Sequence, residues 1–533
     1  MPPRADGSSD SNRSLTAEKT YLFRHALLRD AAYQLQLPGD RARLHALAFA
    51  VIEDLCGGRP PEPPPLDAAE PAPVAPHATD AFAHELAMHA RYAFPVGASK
   101  PGAGEPGGTS GVLTLYLRRA AEVAVRQFRQ EAAQDLWLQL ADLSWEAPRA
   151  AAVFQAGSAA SMRGRSQEAQ GLFSEAIALF REIGAHRPEA AARRNLAAVE
   201  YRAGLVEQAE RHFEQALATF SAVGNRSGEG NTLGNLAALF LSTGRVDRAE
   251  KSFGAALAIL REVGDRRGEG STLGNLAAVY RYTGRVEQAE QSYEQALVIN
   301  REVGNHGGEG IALMNLAGLY VETDRVEQAE QTWEKALAVH NEVGDRAAVG
   351  ATLGFLASLY GETDRIDRAM RTIEQALAIH REVGDRRGEG VTLGNLASLH
   401  EMAGGTEKSQ RIYEQALAIL QDVGDRRSEG CVLGNLANLY LVTGRVEFAI
   451  RSFESALTIH GQLGNRLFQG SHSCDYALCL LAQGRMIEGA ERWRQGMAIL
   501  KSVHADKEAG RKRLDMQVAC AKAGVAPLVE GSA

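Results

Sequence analysis

Between residues 265 and 304, apolar positions recur twice at helical spacing. Leu273, Leu276, Ala277 and Tyr280 stand at i, i+3, i+4 and i+7, and so share one face of a helix. Ala289, Tyr293, Ala296 and Leu297 form a second such face. "TGR" separates the two, and Gly284 suits the left-handed conformation that stops a helix. Asp324 and Asp364 replace this Gly in two other copies, and Asp also visits that region. Gly304 marks the end of the second helix, and Asp265 and Asp385 are placed to cap the first helix of their units.

This pattern repeats. Gly184, Gly224, Gly264, Gly304, Gly344, Gly384, Gly424 and Gly464 fall 40 residues apart, so each unit is a helix pair. Nine units are expected, starting near 147, 185, 225, 265, 305, 345, 385, 425 and 465, over residues 147–504. A degenerate helical repeat precedes them at 112–146. A charged capping helix and tail, 505–533, closes the array, because an end unit needs a polar outer face. Ahead of these lie a stretch expected to be disordered (1–18), a helical segment (19–56), and Pro/Gly-rich linkers around a short helix (57–111).

Leu276, Ala277, Tyr280, Gly284, Ala289, Tyr293 and Ala296 together resemble the tetratricopeptide repeat. The unit is six residues longer than that family's usual ~34, and it lacks the family's closing Pro. Six residues add about 9 Å of helix. With its "LGN" and "GDR.GEG" signatures, the longer unit resembles Leu-Gly-Asn-repeat scaffolds and the arrays appended to bacterial signalling ATPases, kinases and cyclases. The resemblance implies an all-α, right-handed superhelical solenoid of antiparallel helix pairs. "FRHALLRDAAY" (23–33) resembles the segment after the nucleotide-binding core of bacterial STAND-type ATPases, although no G-x-x-x-x-G-K-[ST] occurs. Two readings of that segment stay open: a remnant of a larger signalling protein, or a cap on the solenoid.

Composition narrows the function classes. The 533 residues carry 58 Lys+Arg against 66 Asp+Glu, a net charge of −8. That balance argues against sequence-independent binding to nucleic acid or to an anionic membrane. No apolar run approaches the ~20 residues of a membrane span, and the first residues lack the apolar stretch of a signal peptide. Five cysteines with no metal-like pairing fit a reduced, cytoplasmic setting. Arginine in excess of lysine leans towards a GC-rich bacterial genome.

Several stretches imitate chemistry. "GEGSTLG" (268–274) has the glycine density of a phosphate loop, but it recurs unit after unit, follows a helix and lacks the Lys. Close helix approach is the expected role of its glycines. "HELAMH" (84–89) spaces its imidazoles at i, i+5, where a zinc helix needs i, i+4. His340, His380 and His460 share one repeat position near the end of the second helix, where favourable charge at a helix C-terminus accounts for them. Arg266, Arg386 and Arg426 are read as partners of glutamates such as Glu262 and Glu269, or as a basic rim. No catalytic constellation, metal site or cofactor site is singled out, and an enzyme is not expected.

One polar position does stand out. On a helical wheel Asn275 lies about 100° from Leu276 and roughly 140–160° from Leu273, Ala277 and Tyr280. It therefore points away from the packed stripe. Asn195, Asn235, Asn315, Asn395 and Asn435 repeat it, while Phe355 and Asp475 break the series. In a solenoid of helix pairs the first helices line the concave surface. Parallel neighbours ~10 Å apart would offer an amide to about every third residue of an extended peptide. An amide both donates and accepts, so it can hold a backbone without reading side chains. Around the ladder the face is small (Ala238, Ala278, Gly318, Ser358, Ser398). Further along it varies, with Arg281, Tyr282, Glu322 and Glu362 as candidate selectivity residues. The Lys of a carboxylate clamp, one turn before the Asn, is absent. The competing reading is that the Asn side chains bond between adjacent helices and keep the repeats in register.

The function expected from these residues is a non-enzymatic scaffold that binds a protein or peptide on its concave face. The alternative is a sensor or regulatory arm of a nucleotide-dependent signalling system, acting with a neighbouring signalling protein.

Overall fold

A computed structural model describes residues 37–66, 74–94, 109–503 and 505–523. The expectations for 1–18, for "FRHALLRDAAY" and for the tail after 523 lie outside these residues. The described chain forms two compact units, one built from residues up to 123 (Leu66 excepted) and the other from Ala124 onward.

The first unit contains helices Pro38–Leu55, Ala83–Ala93 and most of Thr109–Arg126. Its core is small. Phe49 packs edge-on against Tyr116 with ring centroids 5.5 Å apart, and the Tyr116 hydroxyl donates to Glu53 Oε1 at 2.7 Å. Arg119 is buried, and its guanidinium is held by Asp80 (2.8 Å) and by the carbonyl of Ala75 (3.0 Å). The Pro-rich run also packs: the Pro64 carbonyl accepts from Arg118 Nη1.

The second unit is a right-handed superhelical solenoid of helix pairs. Each pair has the anatomy of residues 265–304. The Asp265 carboxylate accepts from the Gly268 N–H at 2.8 Å and caps helix Arg266–Tyr282. The chain then turns through Gly284 at φ 72°, with the Arg285 N–H closing onto the Tyr280 carbonyl at 2.9 Å. Asp324 and Asp364 adopt the same left-handed conformation, φ 57° and 58°. A second helix, Val286–Glu302, follows. Nine such pairs run from Glu146 to Ser502, and helix Asp506–Ala523 packs on the last of them. Ala277, Ala289, Ala296 and Tyr293 are fully buried between helices, with Leu273 and Leu276 nearly so. Each buried Leu contributes about 1.5–3 kcal/mol before the conformational cost is subtracted.

The "GEG" glycines let the two helices of a pair approach closely. A Cβ at Gly230 would meet Leu260 Cγ at 2.9 Å, one at Gly270 would meet Asn300 Oδ1 at 2.9 Å, and one at Gly350 would meet His380 Nε2 at 2.7 Å. The residue they accommodate is pinched again from the next unit: Leu260 lies 2.8 Å from a Cβ built at Gly268. This overturns the charged reading of His340 and His460, while His380, in the same slot, sets its Nδ1 2.8 Å from Asp385 Oδ2. The exposures of His340, His380 and His460 are 1%, 2% and 0%, so they are core residues occupying the slot that Leu260 and Leu420 fill elsewhere. Burial pushes His340 below the usual imidazole range, and His460 down to about 3. A neutral ring gains nothing from a helix C-terminus.

The array also winds back onto itself. Gly164 lies against Arg387, Gly204 against Arg426, and Gly244 against Arg466, each about 222 residues further on. Arg427 Nη1 reaches the Tyr201 hydroxyl at 3.4 Å, and Leu463 covers Gly204. The contacts fall about five and a half units on (Gly204 with Arg426) and about six and a half units on (Gly204 with Leu463), so about six units complete one superhelical turn, and successive turns touch.

Candidate functional site: the concave face of the array

The packed side and the ends of most first helices are rich in polar partners. Arg285 makes two bonds to Glu250 of the preceding unit (2.8 and 2.7 Å), and its guanidinium lies 4.5 Å over the Tyr280 ring. Arg245, Arg325 and Arg365 repeat this with Glu210, Glu290 and Glu330. The Arg285 charge holds the Glu250 carboxyl below its usual range. At the other end Glu269 is buried between Arg261 (2.8 Å) and Arg266 (2.6 Å). Arg266 also reaches Glu302, while Glu262 pairs with Arg226. Arg386 and Arg426 are tied to Glu389 and Glu429, so the "GDRR" arginines are paired. Ser227 and Asn231 of one unit donate to the cap Asp265 of the next (2.6 and 3.0 Å), and Arg387 does the same to Asp425 (2.7 Å). These bonds hold the units in register.

The Asn series takes no part in them. Asn235 and Asn275 are exposed, and Asn195, Asn315, Asn395 and Asn435 are half-buried. Among the described residues none of the six amides has a hydrogen-bond partner in the chain. Where the series breaks, the structure gives a reason. Phe355, 48% exposed, stacks on Trp333 at 5.9 Å with the rings nearly parallel. Asp475 is buried and held by Lys512 of the terminal helix at 2.5 Å and by Asn438 at 3.3 Å. The terminal helix thus occupies the place of a tenth first helix and covers that position.

The flanking candidates stand about two turns further along the first helices. Arg281 Nε is 3.6 Å from Glu322 Oε2, and Glu322 and Glu362 are exposed. Tyr282 is half-buried, and burial pushes its hydroxyl up to about 12. Ile311 and Met402 add exposed apolar surface. With first helices ~10 Å apart and about six units to a turn, the bore between helix surfaces is roughly 8–10 Å. That admits an extended chain and not a helix, whose diameter with side chains is ~10–12 Å.

Family models described as tetratricopeptide repeat match residues 149–222, 228–302, 308–382 and 371–422, and a second model of the same description matches 432–467. The chain belongs to the tetratricopeptide-repeat family. No curated protein matches it significantly. Among solved structures, BtubC from P. vanneervenii is similar at 24% identity and TM-score 0.34, over 41% of this chain and 90% of that one. A Rap protein complexed with Competence and Sporulation Factor is similar at 14% and 0.46, over 66% and 98%. A STAND protein with a tetratricopeptide-repeat sensor from Pyrococcus horikoshii is similar at 13% and 0.41, over 71% and 55%. At these scores none of the three bears on what this tetratricopeptide-repeat chain does.

Among the described residues no helix is long and apolar enough to cross a membrane, and no three His, Cys, Asp or Glu side chains converge as a metal ion would require. The "HELAMH" histidine His89 instead lies 2.7 Å from His45, ring nitrogen to ring nitrogen. Sequence reasoning missed two residues of the first helices. Phe355 was seen only as a break in the series, and Arg194, beside Asn195, was not noticed. Its signal was a cation standing where five other units have Gly.

Proposed function

We propose that this chain is a non-enzymatic scaffold that holds one extended peptide segment in the concave bore of its repeat array. The observation that carries the reading is the contrast within each first helix. Bonds between units are made by Arg285, Asp265 and their equivalents, while the six Asn amides, read as facing the bore, have no hydrogen-bond partner among the described residues. Arg281, Tyr282, Glu322 and Glu362 supply the variable flanks. The alternative of a sensor arm rests on a segment outside the described residues, and no observation here favours it.

The test is selection of short random peptides by the full-length protein, followed by affinity measurement on a variant with Asn235, Asn275, Asn315 and Asn395 changed to Ala. Four amide contacts at ~0.5–1.5 kcal/mol each predict a loss of at least ~30-fold with the melting temperature unchanged. Equal binding by both proteins would move the site off this face. A variant that melts early would return the Asn series to a role in register.

A further inference from the structure

Where the coil meets itself, the ends of three early first helices abut the starts of three late ones. Helix Glu146–Met162 ends beside Gly164, against Arg387; helix His186–Arg202 ends beside Gly204, against Arg426; helix Arg226–Ser242 ends beside Gly244, against Arg466. This seam collects arginines. Arg202 Nη2 donates to Ser161 Oγ of the preceding unit at 2.5 Å, and Arg427 Nη1 reaches the Tyr201 hydroxyl across the seam at 3.4 Å. A Cβ built at Gly164, three residues beyond Ser161, would lie 3.2 Å from Arg387 Cβ. Arg202 and Arg387 therefore share one neighbourhood. Burial first, and then Arg387, lower the Arg202 pKa, with Asp425 opposing.

The carboxylates at the seam are few and committed. Asp425 is buried, accepts from the Ser428 N–H (3.1 Å) and hydroxyl (2.8 Å) at the cap of its own helix, and takes Arg387 Nε at 2.7 Å. Glu429 holds Arg426 at 2.6 Å, Glu200 holds His212, and Asp422 stands 3.9 Å from Arg165. Arg163 is bonded to Glu131 and Gln134, and Arg466 to Gln469 at 3.2 Å. With Arg387 set against Asp425, Arg202 and Arg427 remain without an ion pair among the described residues. Like charges gathered in a partly buried contact cost free energy that an anion would recover. Ser161 Oγ and the Tyr201 hydroxyl each accept from an arginine, which leaves the proton of each free to donate.

We infer that the seam is a binding site for a phosphate dianion, either the free ion or the monoester of a small molecule, held by Arg202 and Arg427 with the Ser161 and Tyr201 hydroxyls beside them. Two uncompensated guanidinium charges match a dianion, and the planar donor fork of arginine matches phosphate oxygens. Ser161, Tyr201 and Arg202 belong to one turn of the coil and Arg427 to the next, so the bound anion ties successive turns together. The site lies outside the Asn series and stands whether or not a peptide binds there.

The test is calorimetric titration of the full-length protein with inorganic phosphate and, separately, with AMP, in chloride buffer at constant ionic strength. Saturable binding of at least one of the two is expected; phosphate binding assigns the free ion, and AMP binding alone assigns a monoester. Arg202→Gln and Arg427→Gln should each weaken it roughly ten- to a hundredfold, the size of one charge-assisted contact. Arg427 is exposed, so its variant reads the site even if Arg202→Gln does not fold. Arg371→Gln, an exposed arginine of helix Ile366–Glu382 with no ion pair among the described residues, should bind as the parent does. In the parent the anion should slow amide hydrogen exchange around Ser161, Tyr201 and Arg427 together. No binding of either anion, or an affinity unchanged in Arg427→Gln, overturns the site. Protection confined to one of the two turns overturns its role in tying them.

Discussion

The two faces of a single first helix, Arg266–Tyr282, obey opposite rules. On the packed face Gly270, Glu269, Leu273 and Ala277 meet neighbours at contact distance, and every charge has a partner. On the inner face Gly274 has nothing within 4 Å of its added Cβ, and Asn275 has no hydrogen-bond partner among the described residues. The same residue type thus means different things a few positions apart. Glycine at 270 is required by a neighbouring side chain, and glycine at 274 leaves space. A face whose polar groups are paired is built for stability, and one that keeps unpaired amides is available to a ligand.

The largest effect should come from exchanging these rules. Gly350→Ala places a methyl 2.7 Å from the His380 ring, in a slot closed on both sides, and should cost about 1–3 kcal/mol. Gly274→Ala meets open space and should be neutral or stabilising by up to about 1 kcal/mol, because Ala is the better helix former. Denaturant melts of the two variants beside the parent decide this. Equal midpoints would remove the distinction between the faces.

Acid should sharpen the comparison next. His460 and His472 are buried with ring nitrogens 3.2 Å apart, and both are held down to about 3, by burial first. The charges acting on them are Arg427, Lys512, Arg511 and Glu508. A His whose folded value lies below its unfolded ~6.5 contributes stability that is complete above that pH. The contribution is lost as pH falls from ~6.5 towards the folded value, because the unfolded chain binds the proton first. Lowering the pH from neutral to 5 should cost about 1–2 kcal/mol for each ring, concentrated at the C-terminal units. His460→Leu, the residue that Leu420 shows to fit that slot, should flatten the dependence. An unchanged slope would mean that the pair is not held neutral. The bore has no His in its Asn series, so acid should leave its amides untouched.

These histidines also show where the sequence stops being legible. The unit, its caps and its turns could be read because they are local: Asp265 and Gly268 are three residues apart. The exposure of Asn275 could be read from the wheel for the same reason. The role of His380 could not, because its environment is set by Gly350, thirty residues earlier, and by the next unit. A recurring Gly opposite a recurring bulky residue was the available clue. The closing of the superhelix, with Gly204 against Leu463, sums small rotations over more than five units, and no single position records it. Arg194 was legible in principle, since it breaks a glycine series, but only the structure shows that it lacks a counter-ion.

A smaller effect is expected from the register bonds. Arg285→Ala removes the pair with Glu250 and the contact over Tyr280, and should cost about 0.5–1 kcal/mol for a partly exposed pair. A double-mutant cycle with Glu250→Gln isolates the coupling. The Glu250 carboxyl is held below its usual range, so this contribution is present at neutral pH and vanishes as pH falls through the folded value. A coupling of zero would hand the register back to packing alone.

The smallest change in stability, and the one most telling for function, belongs to Asn275→Ala. If the amide bonded a neighbouring helix, removing it would strand a partner and cost about 1–3 kcal/mol. No such partner exists among the described residues, and Ala is the stronger helix former, so the melt should shift by less than about 0.5 kcal/mol, upward if at all. The same substitution should weaken the selected peptides by several-fold, the share of one amide among several. Stability and affinity are thereby expected to move independently at this position, whereas at Gly350 both should fall together as the array loosens. A loss of stability above about 1 kcal/mol in Asn275→Ala would show that the inner face is structural as well, and the contrast between the two faces would collapse.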